Sequence, residues 1–141
     1  MALRLRVEIM SHEGAVFSGL CERFVVPALS GEICVLPRHA PLLTTLRPGL
    51  ARVCTEGEPE RAFFLTSGFL EIQPDLVTVL ADTAYRSREL DEQQVLAAKQ
   101  RTEQALAHQA PGQDHARLMN ELRLEVALLR AIGELRKRER G

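Results

Sequence analysis

The chain has 141 residues, enough for one sandwich-sized core with an appendage but hardly for two full domains. Its 18 basic and 19 acidic residues give a net charge of -1, which provides no general field for nucleic acid or anionic lipid. Aromatic residues make up only 4% of the chain, and Trp is absent, which argues against a base-stacking platform for single-stranded nucleic acid.

The chain contains three cysteines, an odd number, and they are widely spaced. Metal sites favour paired spacings such as C-x-x-C, and disulfide frameworks favour even counts. We therefore expect reduced thiols that serve as small core residues in a cytosolic compartment. They are Cys21, Cys34 and Cys54.

The first ten residues carry Arg4, Arg6 and Glu8 among apolar residues, which predicts that no signal peptide is present. No window of the sequence approaches roughly eighteen uncharged apolar residues. We therefore expect that a role at a membrane would require recruitment by another protein.

The first half of the chain predicts short antiparallel strands. Leu3, Leu5, Val7 and Ile9 alternate with charged residues, which is the period-two signature of a strand with one buried face. Short apolar runs separated by turn residues follow it. Strands this short and closely spaced predict an antiparallel β-sandwich over residues 1–86. The further runs lie at residues 16–17, 24–26, 33–36, 50–55, 62–66, 69–72 and 76–80.

A proline-framed loop follows the run at residues 33–36. The run Ile33–Leu36 predicts a short buried strand that ends at Pro37. Because Pro37 and Pro41 fix φ and exclude helix, Arg38 and His39 are presented at a rigid site. Such loops are where recognition residues concentrate, so this one is a candidate contact surface; a plain turn with solvated charges is the alternative. Beyond the loop, three leucines are expected to return the chain to the core: Leu42, Leu43 and Leu46.

The last third of the chain changes to a helical period. Leu90–His108 predicts a helix with one apolar side, and Ala110–Gly112 predicts its end. Asp114 is a good N-cap residue for a second helix that runs to Arg138. The short link predicts an antiparallel helical hairpin over residues 87–141.

The predicted second helix carries two adjacent apolar faces. A hairpin partner alone cannot cover both, so the sandwich or another chain must cover the remainder. One face comprises Leu118, Leu122, Val126 and Leu129, and the other Leu124, Leu128, Ala131 and Leu135.

The sequence lacks the common catalytic and phosphate-binding motifs. It contains no G-x-x-x-x-G-K-[ST], no H-E-x-x-H, no G-x-S-x-G and no G-x-G-x-x-G. The four histidines are too dispersed to indicate a metal site by spacing. Nothing in the sequence brings Ser67 and His39 together as nucleophile and base. We therefore expect no enzymatic activity, no metal and no cofactor.

Several stretches, in matching order and spacing, resemble the epsilon subunit of the bacterial F-type ATP synthase. The resemblance covers nearly all of the chain and implies a β-sandwich followed by a helical hairpin, in a non-catalytic central-stalk subunit. The stretches are Phe17–Gly19, Gly31–Pro41, Thr44–Gly49, Ser67–Pro74, Val77–Ala84 and Leu90–Glu92.

The resemblance also implies partners. In this family the sandwich binds the gamma subunit and rests on the rotor ring of c subunits, and the matching contact residues here are Glu32 and His39, with Arg38 beside them. Charges at the rim of an interface set its register and orientation. The implied role is torque coupling in a proton-translocating complex, as a peripheral protein on the cytoplasmic face of the bacterial inner membrane.

The helical hairpin of this family is a regulatory arm. Extended along gamma, it brings basic residues to an acidic loop of the catalytic β subunit and opposes ATP hydrolysis. Single exposed ion pairs are worth about 0 to 1 kcal/mol, so such a brake needs several of them. By position, the candidates here are Arg123, Arg130, Arg136, Lys137 and Arg138.

Some members of the family bind ATP through a motif of the form [IL]-D-x-x-R-A. The matching residues here are Leu90, Asp91, Gln94 and Val95, so Gln stands in place of the Arg. A neutral amide cannot supply the charge-assisted fork that Arg offers to phosphate oxygens. We therefore predict weak or no ATP binding. The alternative function is a stand-alone nucleotide-sensing domain that uses Asp91 and Arg123 in a closing hairpin.

Overall fold

The computed structural model of the chain describes residues 3–108 and 113–140. The chain divides into two compact units, Met1–Arg86, the sandwich unit, and Ser87–Gly141, the helical unit. The described part of the sandwich unit contains ten strands. They are β1 (Leu5–Ser11), β2 (Gly14–Cys21), β3 (Arg23–Ala28), β4 (Gly31–Val35), β5 (Leu42–Leu46), β6 (Gly49–Cys54), β7 (Arg61–Leu65), β8 (Gly68–Ile72), β9 (Leu76–Ala81) and β10 (Ala84–Arg86).

The strands form one hydrogen-bonded sheet in the order β10-β7-β6-β3-β5-β8-β9-β1-β2, with β4 added on β3. This arrangement confirms the predicted sandwich. One pairing departs from the antiparallel pattern, because β1 and β9 run parallel from Arg6 opposite Leu76 to Ser11 opposite Ala81. A parallel pair needs a long connection. Here the strands from β2 to β8 provide it, so the sheet needs no crossover helix.

The hydrophobic core confirms the period-two pattern of the first strand. Leu5, Val7 and Ile9 are at most 1% exposed. The prediction is wrong for Leu3, which precedes the strand and is 56% exposed. Each of the strands from β1 to β9 contributes at least one buried apolar side chain to the same cluster. Full burial of one such side chain is worth about 1.5 to 3 kcal/mol, so this cluster is the main source of stability of the unit.

The two outermost strands of the sheet order are tied together by side chains. Arg86 on β10 donates from Nη2 to the carbonyl of Val16 on β2 at 2.9 Å. The Phe17 ring on β2 packs against Phe63 on β7 with centroids 5.5 Å apart, and Arg61 lies 5.7 Å from the Phe17 centroid. The sheet therefore folds over its own core, and its outer edges are protected from pairing with other chains.

A second tie joins the β7–β8 turn to the β9–β10 turn. Thr66 and Thr83 exchange hydrogen bonds: Thr66 Oγ1 donates to the Thr83 carbonyl at 3.2 Å and accepts from the Thr83 N–H at 2.9 Å. Ser67 Oγ donates to Asp82 Oδ2 at 2.8 Å. Gly68, the residue after Ser67, has a positive φ of 152° and lies close to the backbone of Ala81.

The described part of the helical unit contains a short 3-10 turn at Ser87–Glu89, helix α1 (Glu92–His108) and helix α2 (Gln113–Arg140). Two helices were predicted, and two are present. Asp114 was predicted as the N-cap of the second helix, but it lies within the first turn of α2. Its negative charge there interacts favourably with the positive end of the helix dipole. The predicted break at Ala110–Gly112 lies outside the described residues. Across residues 3–108 and 113–140, neither helix is both long and apolar enough to span a membrane.

Two predictions about burial after Gly31 are wrong. The run Ile33–Leu36 is not a buried strand, because Leu36 is 53% exposed and Val35 alone of the four is fully buried. Its strand β4 pairs with β3 alone among the described strands, so only every second residue reaches the core. Of the three leucines expected in the core, Leu42 and Leu43 are 39% and 69% exposed, and Leu46 alone is buried.

The cysteine prediction is only partly correct. All three thiols are free, but Cys34 is exposed and Cys54 half-buried, because both lie on the strand face turned away from the core. Cys21 alone is a core residue, and burial raises the pKa of its thiol to about 11. This thiol therefore stays protonated and unreactive at neutral pH.

We predict that Gly68→Ala disrupts the sandwich. A Cβ there would lie 2.8 Å from Ala81 Cα and 2.9 Å from the Leu80 carbonyl carbon, in addition to the strained φ. We expect a loss of about 2 to 4 kcal/mol in the free energy of unfolding, measured by urea denaturation and circular dichroism. Gly57→Ala is the control, because Gly57 also has a positive φ but its Cβ would meet nothing within 4 Å. Equal losses in both variants would contradict the steric explanation.

Candidate functional site

The corner loop, residues 36–41, is a tight and anchored turn. The His39 N–H donates to the Leu36 carbonyl at 3.1 Å, and Pro37 and Arg38 occupy the two central positions. Arg38 has a positive φ of 67°, as the third position of a type II turn requires, although Gly is the usual residue there. The Arg38 N–H also donates to the Pro74 carbonyl at 2.8 Å, which ties the loop to the β8–β9 turn. The loop is therefore rigid, and Arg38 stores strain in it.

His39 is oriented by its neighbour. Its Nδ1 lies 2.7 Å from the carbonyl oxygen of Ala40, which can only accept, so Nδ1 carries the proton. The half-buried ring is thereby left with Nε2 as a hydrogen-bond acceptor for a donor outside the chain.

Exposed leucines lie near both ends of the corner loop. Leu36, the first residue of the loop, is 53% exposed, and Leu43, two residues after its end, is 69% exposed. The corner therefore offers apolar surface around one cation, rather than charge alone. The sequence did not reveal this exposed apolar surface, because a leucine at the edge of a strand fits the same pattern whether it faces the core or a partner.

Glu32 lies apart from the loop, on strand β4, in an ion cluster. Its carboxylate is 3.3 Å from Arg52 on β6, and Arg52 also lies 3.7 Å from Glu60. The Arg52 side chain is only 12% exposed, whereas the Glu32 side chain is 56% exposed. Glu32 is therefore held in place by a mostly buried arginine and presents its remaining surface outward.

A row of residues with two exposed apolar side chains at its centre crosses the outer face of four adjacent strands. The register places Thr45, Phe69, Leu80 and Met10 directly opposite one another on β5, β8, β9 and β1. Phe69 is 56% exposed and Leu80 is 50% exposed. Directly paired residues share one face of a sheet, and an apolar patch there marks a protein contact. We call these four residues the outer row; the sequence analysis did not identify it.

The five candidate cations of the helical unit separate into two groups. Arg123, Arg130 and Lys137 recur every seven residues on α2 and are all exposed, so they form one stripe of about 21 Å at roughly 1.5 Å per residue. We call them the basic stripe. Arg136 instead forms an ion pair with Glu92 on α1. Arg138 lies 3.5 Å from Glu134 within α2.

The residues matching the ATP motif have a structural role at the start of α1. Asp91 is the N-cap: its Oδ1 accepts from the N–H groups of Gln93 at 3.0 Å and Gln94 at 3.4 Å. Arg123 bonds Asn120 at 3.2 Å. Glu92, next to Asp91, pairs with Arg136, and Arg123 lies thirteen residues, or about 20 Å, from Arg136 toward the N-terminus of α2. The structure therefore does not bring Asp91 and Arg123 together.

Metal and catalytic centres are not supported by the described residues. Within residues 3–108 and 113–140, no three His, Cys, Asp or Glu side chains lie close enough to hold a metal ion. Ser67 donates to Asp82, and His39 faces Ala40, so the two residues considered as nucleophile and base are engaged separately.

The sequence matches a family model described as the β-sandwich domain of the ATP synthase delta/epsilon chain, over residues 4–87. Three curated relatives are each named ATP synthase epsilon chain. The relative from Alkalilimnicola ehrlichii is 48% identical over 95% of this chain and 96% of its own length. The relatives from Nitrosococcus oceani and Halorhodospira halophila are 44% and 46% identical, over 98% and 95% of this chain and 99% and 96% of their own.

Two solved structures share the fold at low sequence identity. A chain of the Euglena gracilis mitochondrial ATP synthase, in a structure of OSCP, F1 and the c-ring, aligns with a TM-score of 0.81 and 17% identity, over 92% of this chain and 81% of that one. A chain from the central stalk and c-ring of the Tetrahymena thermophila mitochondrial ATP synthase aligns with a TM-score of 0.63 and 12% identity, over 90% and 97%.

We predict that Arg38→Gly stabilises the protein by about 0.5 to 1 kcal/mol, because glycine tolerates the positive φ that strains an arginine. Arg47→Gly is the matched control: Arg47 is also exposed, but it is not among the residues with positive φ, so the same change should destabilise. Urea unfolding of both variants measures the difference. A loss of stability in Arg38→Gly as large as in Arg47→Gly would show that the loop stores no strain.

Proposed function

The chain belongs to the ATP synthase epsilon chain family, and on this basis we propose that it acts as a non-catalytic subunit of the central stalk. In this proposal it couples rotation of the c ring to the catalytic head through gamma, and its helices inhibit ATP hydrolysis. The observation that carries the proposal is the match to epsilon chains over 95% or more of this chain, which spans both units.

The outer row is the surface that we assign to gamma. Phe69 and Leu80 expose about half of their surface to water on the outer face of the sheet, and burying them against a partner is favourable by roughly 25 cal/mol per Å². A sheet face also resists shear, since each row residue is fixed by backbone pairing on both sides. This rigidity suits a subunit that must turn with its partner.

The corner loop and Glu32 are the surface that we assign to the rotor ring. Arg38, the His39 Nε2 atom and the anchored carboxylate of Glu32 supply a donor and two acceptors at fixed positions. The leucines around the loop supply apolar area. Charged groups of this kind fix orientation more than they add affinity, and torque transfer requires a fixed orientation.

The basic stripe is the part of the helical unit that we assign to the β subunit. Arg123, Arg130 and Lys137 are presented along one line, so an acidic surface can meet all of them at once. Arg136 and Arg138 lie close by, each with a carboxylate neighbour. Each exposed pair contributes about 0 to 1 kcal/mol, so inhibition depends on several pairs acting together.

The same proposal gives the location of the protein. Contacts with gamma and the c ring would hold it as a peripheral protein on the cytoplasmic face of the bacterial inner membrane, in a proton-translocating complex. Attachment is then through protein partners rather than through lipid.

Nucleotide sensing is the alternative function, and the arrangement of the helical unit disfavours it. The carboxylate of Asp91 is occupied by the backbone of α1, and Arg123 lies far along α2. The position that carries Arg in the ATP motif is the exposed amide Gln94.

We therefore predict that calorimetric titration of the full chain with MgATP gives no saturable binding in the micromolar range. The Gln94→Arg variant restores the missing guanidinium and serves as the comparison. Micromolar binding by the unaltered chain would favour the nucleotide-sensing function over the proposal made here.

We predict that the double variant Arg123→Gln/Arg130→Gln raises ATP hydrolysis by the assembled ATP synthase about two- to tenfold, since two exposed ion pairs are lost. A chain that ends at Glu89 sets the level of full release. The control, Arg101→Gln/Arg117→Gln, removes the same charge from exposed positions off the basic stripe. An equal rise in the control would mean that general charge, not the stripe, sets the inhibition. If truncation at Glu89 left hydrolysis unchanged, the inhibitory role itself would be wrong.

A further inference from the structure

The interface between α1 and α2 follows a heptad pattern that is interrupted by polar residues. Side chains at alternating three- and four-residue steps on both helices form this interface, which we call the seam. The seam positions are Glu92, Val95, Lys99, Thr102 and Leu106 on α1, and Leu118, Leu122, Glu125, Leu129, Ile132 and Arg136 on α2.

Two polar contacts cross the seam. Thr102 is only 5% exposed, and its Oγ1 lies 3.2 Å from Glu125 Oε2 across the seam and 3.0 Å from the Ala98 carbonyl within α1, so its single hydroxyl proton is shared between two acceptors. At the other end of α1, Glu92 forms its ion pair with Arg136. The two contacts are ten residues apart on α1, from Glu92 to Thr102, and eleven residues apart in the opposite direction on α2, from Arg136 to Glu125. Both contacts therefore fit one antiparallel register.

This register has a cost in stability. The second oxygen of Glu125, Oε1, is buried without a hydrogen-bond partner among the described residues. A buried polar atom left unpaired destabilises the packing that buries it. Polar groups at seam positions commonly specify register at the expense of stability. The seam therefore specifies one register while carrying a group that favours its opening.

Arg136 differs from the basic stripe in its availability. The stripe residues lie on the outside of α2 and are exposed while the hairpin is closed. The Arg136 side chain is also exposed, at 56%, but its guanidinium is held by the carboxylate of Glu92 on the opposite helix, whose side chain is 30% exposed. An acidic partner must therefore compete with Glu92 for this guanidinium, unless the helices separate.

We propose that the Glu92–Arg136 pair is a latch that closes the hairpin and withholds Arg136 from an acidic partner until α1 and α2 separate. The inference rests on the proposed inhibitory function of the helical unit and adds its regulation. Opening releases one further cation and exposes the apolar seam, so inhibition rises with the open population. The equilibrium can be shifted by whatever binds one state better.

Hydrogen exchange of the full chain tests the latch without reference to ATP. Glu92→Gln and Arg136→Gln should each raise exchange of the α1 and α2 amides about two- to fivefold, the range expected for a partly exposed ion pair. Exchange in the double variant should be no faster than in either single variant, because the same contact is lost in all three. The matched control is Glu121→Gln, which makes the same charge change but breaks a pair with Arg117 inside α2; it should exchange as the unaltered chain does. An additive double variant, or a control that exchanges as fast as Glu92→Gln, overturns the latch.

ATP hydrolysis by the assembled complex tests the withheld cation. Glu92→Gln opens the hairpin and keeps Arg136, so hydrolysis should fall about two- to fivefold. Arg136→Gln opens the hairpin equally but lacks the cation, so hydrolysis should fall less than it does in Glu92→Gln. Equal inhibition by both variants overturns the assignment to Arg136. If exchange behaves as expected while neither variant changes hydrolysis, the latch stands and the proposed inhibitory function is wrong.

Discussion

The parallel pairing of β1 with β9 is the constraint on which the sandwich depends. It joins the first strand to the last long one, so the sheet ends with β2 on one side and β10 on the other. Arg86 then bonds across those ends to Val16, at the last residue before the helical unit. The point where the chain leaves the sandwich unit is thereby fixed by the closure of the sheet. The same frame holds the corner loop, through the bond between Arg38 and Pro74.

The two units solve opposite physical problems. In the sandwich unit the core is apolar, and Thr66 with Thr83 and Ser67 with Asp82 satisfy one another at adjoining turns. In the helical unit the seam includes Glu125, one of whose oxygens is buried without a described partner. The described part of the sandwich unit also has one such atom, Arg52 Nε, but it belongs to the ion cluster with Glu32 and Glu60 and not to the apolar core. An apolar core favours one rigid shape, whereas a seam with an unpaired polar atom permits a second arrangement. This contrast fits the clamp and the movable inhibitory arm that we propose.

Sequence patterns predict whatever depends on local periodicity. The alternation of Leu5, Val7 and Ile9 predicted a strand, and the apolar spacing after Leu90 predicted helices, because backbone geometry alone sets these periods. The same patterns failed for Leu43, which was expected in the core, and gave no sign that Phe69 is exposed, since an apolar residue that faces a core and one that faces a partner have identical chemistry. The Glu92–Arg136 contact lay beyond prediction, because it depends on the register of two helices. The cap formed by Asp91 was detectable, since Asp before a helix with Gln three residues later is a known start signal.

The central claim is that the rigid outer row, and not charge alone, joins this chain to the central stalk. Size-exclusion chromatography of the full chain with the gamma subunit of its complex tests it most directly. The account predicts one co-eluting peak that is lost in Phe69→Ser/Leu80→Ser and kept in Leu3→Ser, which changes a leucine of similar exposure outside the row. Separate elution of the unaltered chain and gamma, or co-elution of the Phe69→Ser/Leu80→Ser variant with gamma, would contradict it.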